Sequence, residues 1–180
     1  MVVLGVDPGS RVTGYGLLAA EGGEEEALAY GVIRLDGADS HPERLKRIYA
    51  ELTRLIEAHA PDALAIEMPV YGRNPQSMLK LGRAQAAAML AALNRDVPVA
   101  QYTPKEVKKS VTGNGNASKK QVRFMVQSIL SIDRDADLAL DAGDALAVAL
   151  CHHHRRAHGH PQAYTGWASF VEANPDRVKE

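Results

Sequence analysis

Apolar runs of strand length alternate with turn residues through the first part of the chain. Val2–Val3–Leu4–Gly5–Val6 is unbroken until Asp7, and Asp7–Pro8–Gly9–Ser10 reads as a turn, with Pro presetting φ and Gly accepting positive φ. Arg11 to Leu18 reads as the returning strand. Strands near 2–7, 12–20 and 26–35 predict an antiparallel meander, with Gly22, Gly23 and the acidic residues Glu24–Glu26 in its second turn. Ser40 to His59 places Leu45, Ile48, Leu52, Leu55 and Ile56 on one side of an amphipathic helix. Strands near 62–67 and 97–102 enclose a helix carrying Leu79, Leu81, Ala84, Met89, Leu90 and Leu93, apolar on nearly every side. Such a helix is either sandwiched in its own domain or shared with a second subunit. Helices near 104–110, 119–131 and 142–154 complete an α/β arrangement with a five-stranded mixed sheet.

Four carboxylates stand at element ends in this pattern. Asp7 closes the first strand, and Glu67 closes Ala63–Leu64–Ala65–Ile66. Asp141–Ala142–Gly143–Asp144 opens the buried helical run Ala145 to Leu150, with its two acids at i and i+3 on one face. Turn chemistry alone would account for Asp7, and N-terminal capping, worth about 0.3–1 kcal/mol, for Asp141 and Asp144. Asp133, Asp135 and Asp137 read as solvated or capping residues of that kind. Gly143, which costs a helix about 0.5–1 kcal/mol against alanine, is expected to open room between the two acids for another element. Four converging acids repel one another unless cations neutralise them. Hard oxygen donors without a matching Cys or His set point to two Mg²⁺ ions, or Mn²⁺ in their place, and so to phosphodiester hydrolysis.

Composition narrows the setting. The 180 residues suit one domain, expected over 1–154, with a tail over 155–180. One cysteine, Cys151, excludes an internal disulfide framework. The N-terminus enters a strand without a signal-peptide pattern, and no apolar stretch reaches membrane-spanning length, so a cytoplasmic location without membrane contact is expected.

The net charge of −1 hides a strong separation. From Thr103 to Arg123 the cations Lys105, Lys108, Lys109, Lys119, Lys120 and Arg123 oppose Glu106 alone, while five aspartates between Asp133 and Asp144 oppose Arg134. A basic rim beside an acidic centre suits a protein that holds phosphates around a metal site. Thr103–Pro104–Lys105–Glu106 and Ser118–Lys119–Lys120–Gln121 have the form of capping boxes whose first turns carry lysines. A phosphate there is attracted by the helix dipole and the lysines together. Lys108 and Lys119 are the first choices for DNA contact, followed by Lys105, Lys109, Lys120 and Arg123. The loop Arg73–Asn74–Pro75–Gln76 offers further polar donors, against the alternative of a simple surface loop.

Leu4 to Gly16, with Ala65–Ile66–Glu67, Leu79–Lys80–Leu81–Gly82–Arg83–Ala84 and Asp141 to Ala147, resembles the RuvC family of bacterial Holliday-junction resolvases from about Val2 to His152. The resemblance implies an RNase H-like fold, a homodimer built on the Ala-rich helix, and symmetric Mg²⁺-dependent nicking of four-way DNA junctions in recombination and repair. It assigns metal-binding catalytic roles to Asp7, Glu67, Asp141 and Asp144. In the expected division of labour Asp7 anchors both ions, Glu67 and Asp144 complete their shells, and Asp141 holds the metal of the hydrolytic water. It also implies the branch-migration proteins RuvA and RuvB as partners. The family often carries a stacking aromatic three positions after the glutamate, where this chain has Val70 beside Tyr71. Tyr71 either takes that place by a one-residue shift or packs under its own loop. A nuclease of the same fold acting on RNA–DNA hybrids is the nearest alternative. An actin-like or sugar-kinase-like phosphotransferase would need a second domain, and a binding-only junction protein would not need the acids. After His154 the chain turns to Arg, His, Gly, Pro and Gln with scattered Tyr164, Trp167 and Phe170, and a flexible tail is expected; the spacing of His152, His153, His154, His158 and His160 fits no metal motif.

Overall fold

Apolar strand faces are buried on both sides of a single sheet in the computed structural model, which describes residues 1–69, 74–133 and 135–157. The strands are β1 (Val2–Asp7), β2 (Val12–Glu21), β3 (Glu24–Arg34), β4 (Ala63–Glu67) and β5 (Val99–Tyr102), and the helices are α1 (His41–His59), α2 (Pro75–Leu93), α3 (Pro104–Thr112), α4 (Lys119–Ile129) and α5 (Leu140–Ala157). The order across the sheet is β3-β2-β1-β4-β5, with β1, β2 and β3 antiparallel and β4 and β5 running parallel to β1. This is the five-stranded mixed sheet with flanking helices of the RNase H-like fold.

The alternation of strand side chains divides the core in two. Leu4, Val6, Leu17, Leu64 and Ile66 pack with Ile48, Leu52 and Ile56 of α1 and Ala84, Ala88 and Ala91 of α2. Val3, Leu18 and Ala65 face the other way, onto Leu146, Ala149 and Leu150 of α5, with α3 and α4 beyond. The second meander turn is tighter than the sequence suggests. Gly22 and Gly23 both have positive φ, so the turn closes in two residues and Glu24–Glu26 join β3, Glu24 pairing with Glu21. α1 begins with the capping box of Ser40 and Glu43, and α3 and α4 carry the boxes of Thr103 with Glu106 and Ser118 with Gln121. α5 starts before Asp141 and runs past Arg155, so 155–157 are helical rather than tail. The rest of the expected tail, 158–180, lies outside the described residues, as do Val70, Tyr71, Gly72 and Arg73. Among the described residues no helix is long and apolar enough to cross a membrane.

The close approach expected at Gly143 occurs elsewhere. A Cβ on Gly143 would meet only the Leu138 side chain, at 3.6 Å or more. On Gly5 a Cβ would fall onto the carbonyl oxygen of Ala145, and on Gly14 onto that of Asp141, while on Gly16 it would crowd Leu146 at 2.7 Å. The strand glycines, not the helix glycine, let α5 lie backbone to backbone on β1 and β2. Gly5→Ala should therefore destabilise the fold by about 1–3 kcal/mol through overpacking, whereas Gly143→Ala should stabilise it by about 0.5–1 kcal/mol through helix propensity. Urea unfolding of the two variants checks this contrast in sign.

Candidate active site

The same packing brings acids from three elements together. Asp7 ends β1 opposite Gly14, and Glu67 ends the adjacent parallel strand β4, so both carboxylates leave the same edge of the sheet. Asp141 and Asp144 lie in the first turns of α5, whose backbone is pressed against Gly14. Carboxylate oxygens of Asp7, Asp141 and Asp144 lie within 4.8 Å of one another, a grouping able to hold a metal ion. Glu67 stands outside that trio but is coupled to it by charge. Asp133, Asp135 and Asp137 are exposed and away from the cluster, with Asp133 accepting from the Asp135 amide at 3.0 Å.

Electrostatics confirm that the groups are confined. Burial pushes the Asp7 carboxyl up from 3.8 to about 6, with Asp144 and Asp141 adding to the rise and Lys119 opposing it. Burial likewise raises Glu67 to about 7, with contributions from Asp7 and Asp144 against Lys119 and Lys108. Lys119 Nζ donates to Asp144 Oδ2 at 2.5 Å, so an ammonium sits where positive charge is needed. Burial works against its charged form, but the Asp144 bond and the charges of Asp144, Asp7 and Asp141 hold its pKa above the usual lysine value.

The remaining candidates fall into distinct places. Lys108 lies close enough to Glu67 to lower its pKa. Lys119 was expected on the basic rim and instead points into the acid cluster. Lys105, Lys109 and Lys120 are exposed and Arg123 is half-buried, with the Lys105 stem lying against Gly115. Asn74 is the N-cap of α2, its Oδ1 accepting from the amides of Gln76 and Ser77 at 3.0 and 3.3 Å. Tyr71 and Arg73 lie outside the described residues. Sequence reasoning passed over Thr13, which is fully buried and whose Oγ1 donates to the Gly9 carbonyl at 3.3 Å and accepts from the Gly9 amide at 3.4 Å. It ties down the turn that follows Asp7; its only signal was a polar residue at an inward position of β2.

An RNase H-like sheet carrying a carboxylate cluster at the carboxyl ends of two adjacent strands defines a metal-site class of protein, and the comparisons agree. The family model described as "Crossover junction endodeoxyribonuclease RuvC" matches residues 3–152. A protein of that name from Salinibacter ruber is 69% identical over 180 residues, all of both chains, and one from Porphyromonas gingivalis is 48% identical over 183 residues, 99% of this chain and 97% of its own. Among solved structures, Thermus thermophilus RuvC in complex with a Holliday junction substrate superposes with a TM-score of 0.80 at 32% identity, covering 88% of this chain and 97% of that one. The yeast mitochondrial Holliday junction resolvase Ydc2 shares the fold at a TM-score of 0.63 and 16% identity, over 86% of this chain and 78% of its own. This chain belongs to the RuvC family.

The raised pKa values fix a pH dependence. A carboxyl whose pKa rises on folding favours the folded state when protonated; that contribution is complete below about pH 4 and is lost as pH climbs through about 6 for Asp7 and about 7 for Glu67. Metal-free protein should therefore lose about 1.4 kcal/mol between pH 5 and 8 from Asp7 alone. Denaturant titrations at the two pH values, with Asp7→Asn as comparison, check this: the variant should show a smaller loss, and excess divalent cation should restore wild-type stability at pH 8.

Proposed function

We propose that this protein is a structure-specific endonuclease that resolves four-way DNA junctions by hydrolysing phosphodiesters in two strands. The observation that carries the reading is the meeting of Asp7, Asp141 and Asp144 within 4.8 Å, beside Glu67, in a chain of the RuvC family. Its relative from Thermus thermophilus is seen with a Holliday junction substrate.

The site's donor set fits a divalent cation. Its donors are hard carboxylate oxygens, burial and mutual repulsion raise the pKa of Asp7, and a lysine ammonium already satisfies part of the demand for positive charge. Asp7, Asp141 and Asp144 would hold Mg²⁺ or Mn²⁺, with Glu67 completing the set. When bound, such ions supply a nucleophilic water at neutral pH and charge stabilisation of the leaving oxygen. The protein's own part is positional. The strand ends hold Asp7 and Glu67, Thr13 fixes the turn beside Asp7, and the contact of α5 with Gly14 fixes Asp141. Lys119 leaves Asp144 for a backbone phosphate once cations neutralise the acids, and Lys108 faces the same strand from the Glu67 side. Lys105, Lys109, Lys120 and Arg123 extend this basic rim, and Asn74, Tyr71 and Arg73 lie along the segment after Glu67.

Symmetric cutting needs two sites. α2 buries Ala84, Ala88, Ala91 and Ala92 in its own domain but leaves Leu79, Leu90 and Leu93 at 60%, 51% and 50% exposure. Such an apolar row is suited to a second copy, and we assign the homodimer contact to it. Family kinship extends the reading to RuvA and RuvB as partners and to action in the cytoplasm.

The test is cleavage of an end-labelled four-way junction beside a linear duplex and an RNA–DNA hybrid, in Mg²⁺ or Mn²⁺. The expected result is paired symmetric nicks in the junction alone, reduced at least 10³-fold by Asp7→Asn with junction binding retained. Preferential cutting of the hybrid would replace the reading with the hybrid-nuclease alternative, and failure to cut the junction in either metal would remove it.

A further inference from the structure

A groove of about 350 Å³ lies between β3 and α1, and none of the four acids or of the lysines of the basic rim lines it. Tyr15, Leu55, Arg34, Arg47, Glu51 and Arg54 are among the residues that line it. Glu51 pairs with Arg54 at 3.3 Å, but no ion pair among the described residues engages Arg34 or Arg47. Three guanidinium groups against one carboxylate leave the groove with two surplus positive charges. Arg47, Glu51 and Arg54 follow the i, i+4, i+7 spacing of one helix face, over roughly 10 Å of α1.

Register connects this groove to the acid cluster. Arg34 pairs with Val12, and two residues further in Val32 pairs with Gly14, which pairs with Asp7. Two strand spacings and two residues of rise put the Arg34 backbone roughly 12 Å from that of Asp7. At about 3.4 Å of duplex-axis rise per nucleotide of one strand, that is three to four base steps of an arm lying along this line.

We propose that the groove is a second backbone-binding track, which takes the sugar–phosphate backbone of a DNA arm as it leaves the acid cluster. The proposal rests on the junction-nuclease reading. Arginine is the side chain suited to it, because its planar fork pairs with phosphate oxygens in two parallel hydrogen bonds. β3 is an edge strand of the sheet, and an edge strand offers backbone that a peptide can join. An acidic peptide laid along that edge would meet Glu24, Glu25 and Glu26 at its other end. A nucleic-acid backbone crossing only at the arginine end avoids them, so charge favours DNA.

The full-length double variant Arg34→Ala/Arg47→Ala tests this by fluorescence anisotropy, in EDTA and over a KCl series, on a labelled four-way junction and a linear duplex. The track predicts at least tenfold weaker binding to both and a log K against log salt slope shallower by about 1.8 per protomer. Arg34→Lys/Arg47→Lys should recover most of the slope. Should the alanine variant melt early, Arg34→Gln and Arg47→Gln each report a loss of about 0.9 on their own. Unchanged affinity and slope in a folded variant would overturn the proposal, as would unchanged DNA binding with lost binding of a poly-glutamate peptide. Wild-type junction cleavage is scored separately: a changed slope on both DNAs without junction cutting leaves the track standing and removes the junction-nuclease reading.

Discussion

Helix α5 lies on the sheet so closely that its carbonyl oxygens occupy the space where strand side chains would be. Gly5 and Gly14 provide that space on β1 and β2, and Ala145 and Asp141 fill it. The meeting of the helix acids with Asp7 depends on this contact. It sets the height of the first turns of α5 above the strand ends, and with it the 4.8 Å meeting of Asp7, Asp141 and Asp144. Ordinary side chains at the strand positions would lift the helix and separate the acids.

The contact imposes an electrostatic cost that the fold relieves only in part, through Lys119 and Lys108. Asp7 and Glu67 are pushed up to about 6 and about 7, and a single lysine, Lys119, reaches into the cluster. A site that holds anionic groups together against their repulsion is preorganised for cations. Its strain would be a defect in a scaffold and is an asset in a metal centre. In the proposed mechanism Lys119 has two states, one on Asp144 and one on a phosphate, which would couple neutralisation of the site to substrate contact.

Most of this architecture was legible in the chain. Five apolar runs, the capping boxes of α3 and α4 and the Asp7, Glu67, Asp141 and Asp144 positions appear in the sequence because each is a local pattern of period, turn or cap. What stayed hidden depends on packing. Gly143 looked like the point of close approach because it sits between two acids, yet a Cβ there would meet only Leu138, at 3.6 Å, while the strand glycines that make the contact read as ordinary strand residues. Glu24–Glu26 looked like turn because acids favour loops, but two positive-φ glycines close the turn without them. Lys119 read as a rim cation, since nothing local says that its ammonium reaches 25 residues ahead to Asp144. The groove of Arg34, Arg47 and Arg54 joins a strand to a helix and has no sequence signature.

If the acids brought together by α5 form a cation site, Lys119 is displaced from it. Anomalous diffraction from Mn²⁺-soaked crystals of this protein tests it most directly. Mn²⁺ peaks are expected within bonding distance of oxygens of Asp7, Asp141 and Asp144, with the Lys119–Asp144 hydrogen bond broken. Peaks elsewhere, or an intact Lys119–Asp144 pair with no ion among the three carboxylates at millimolar Mn²⁺, would contradict it.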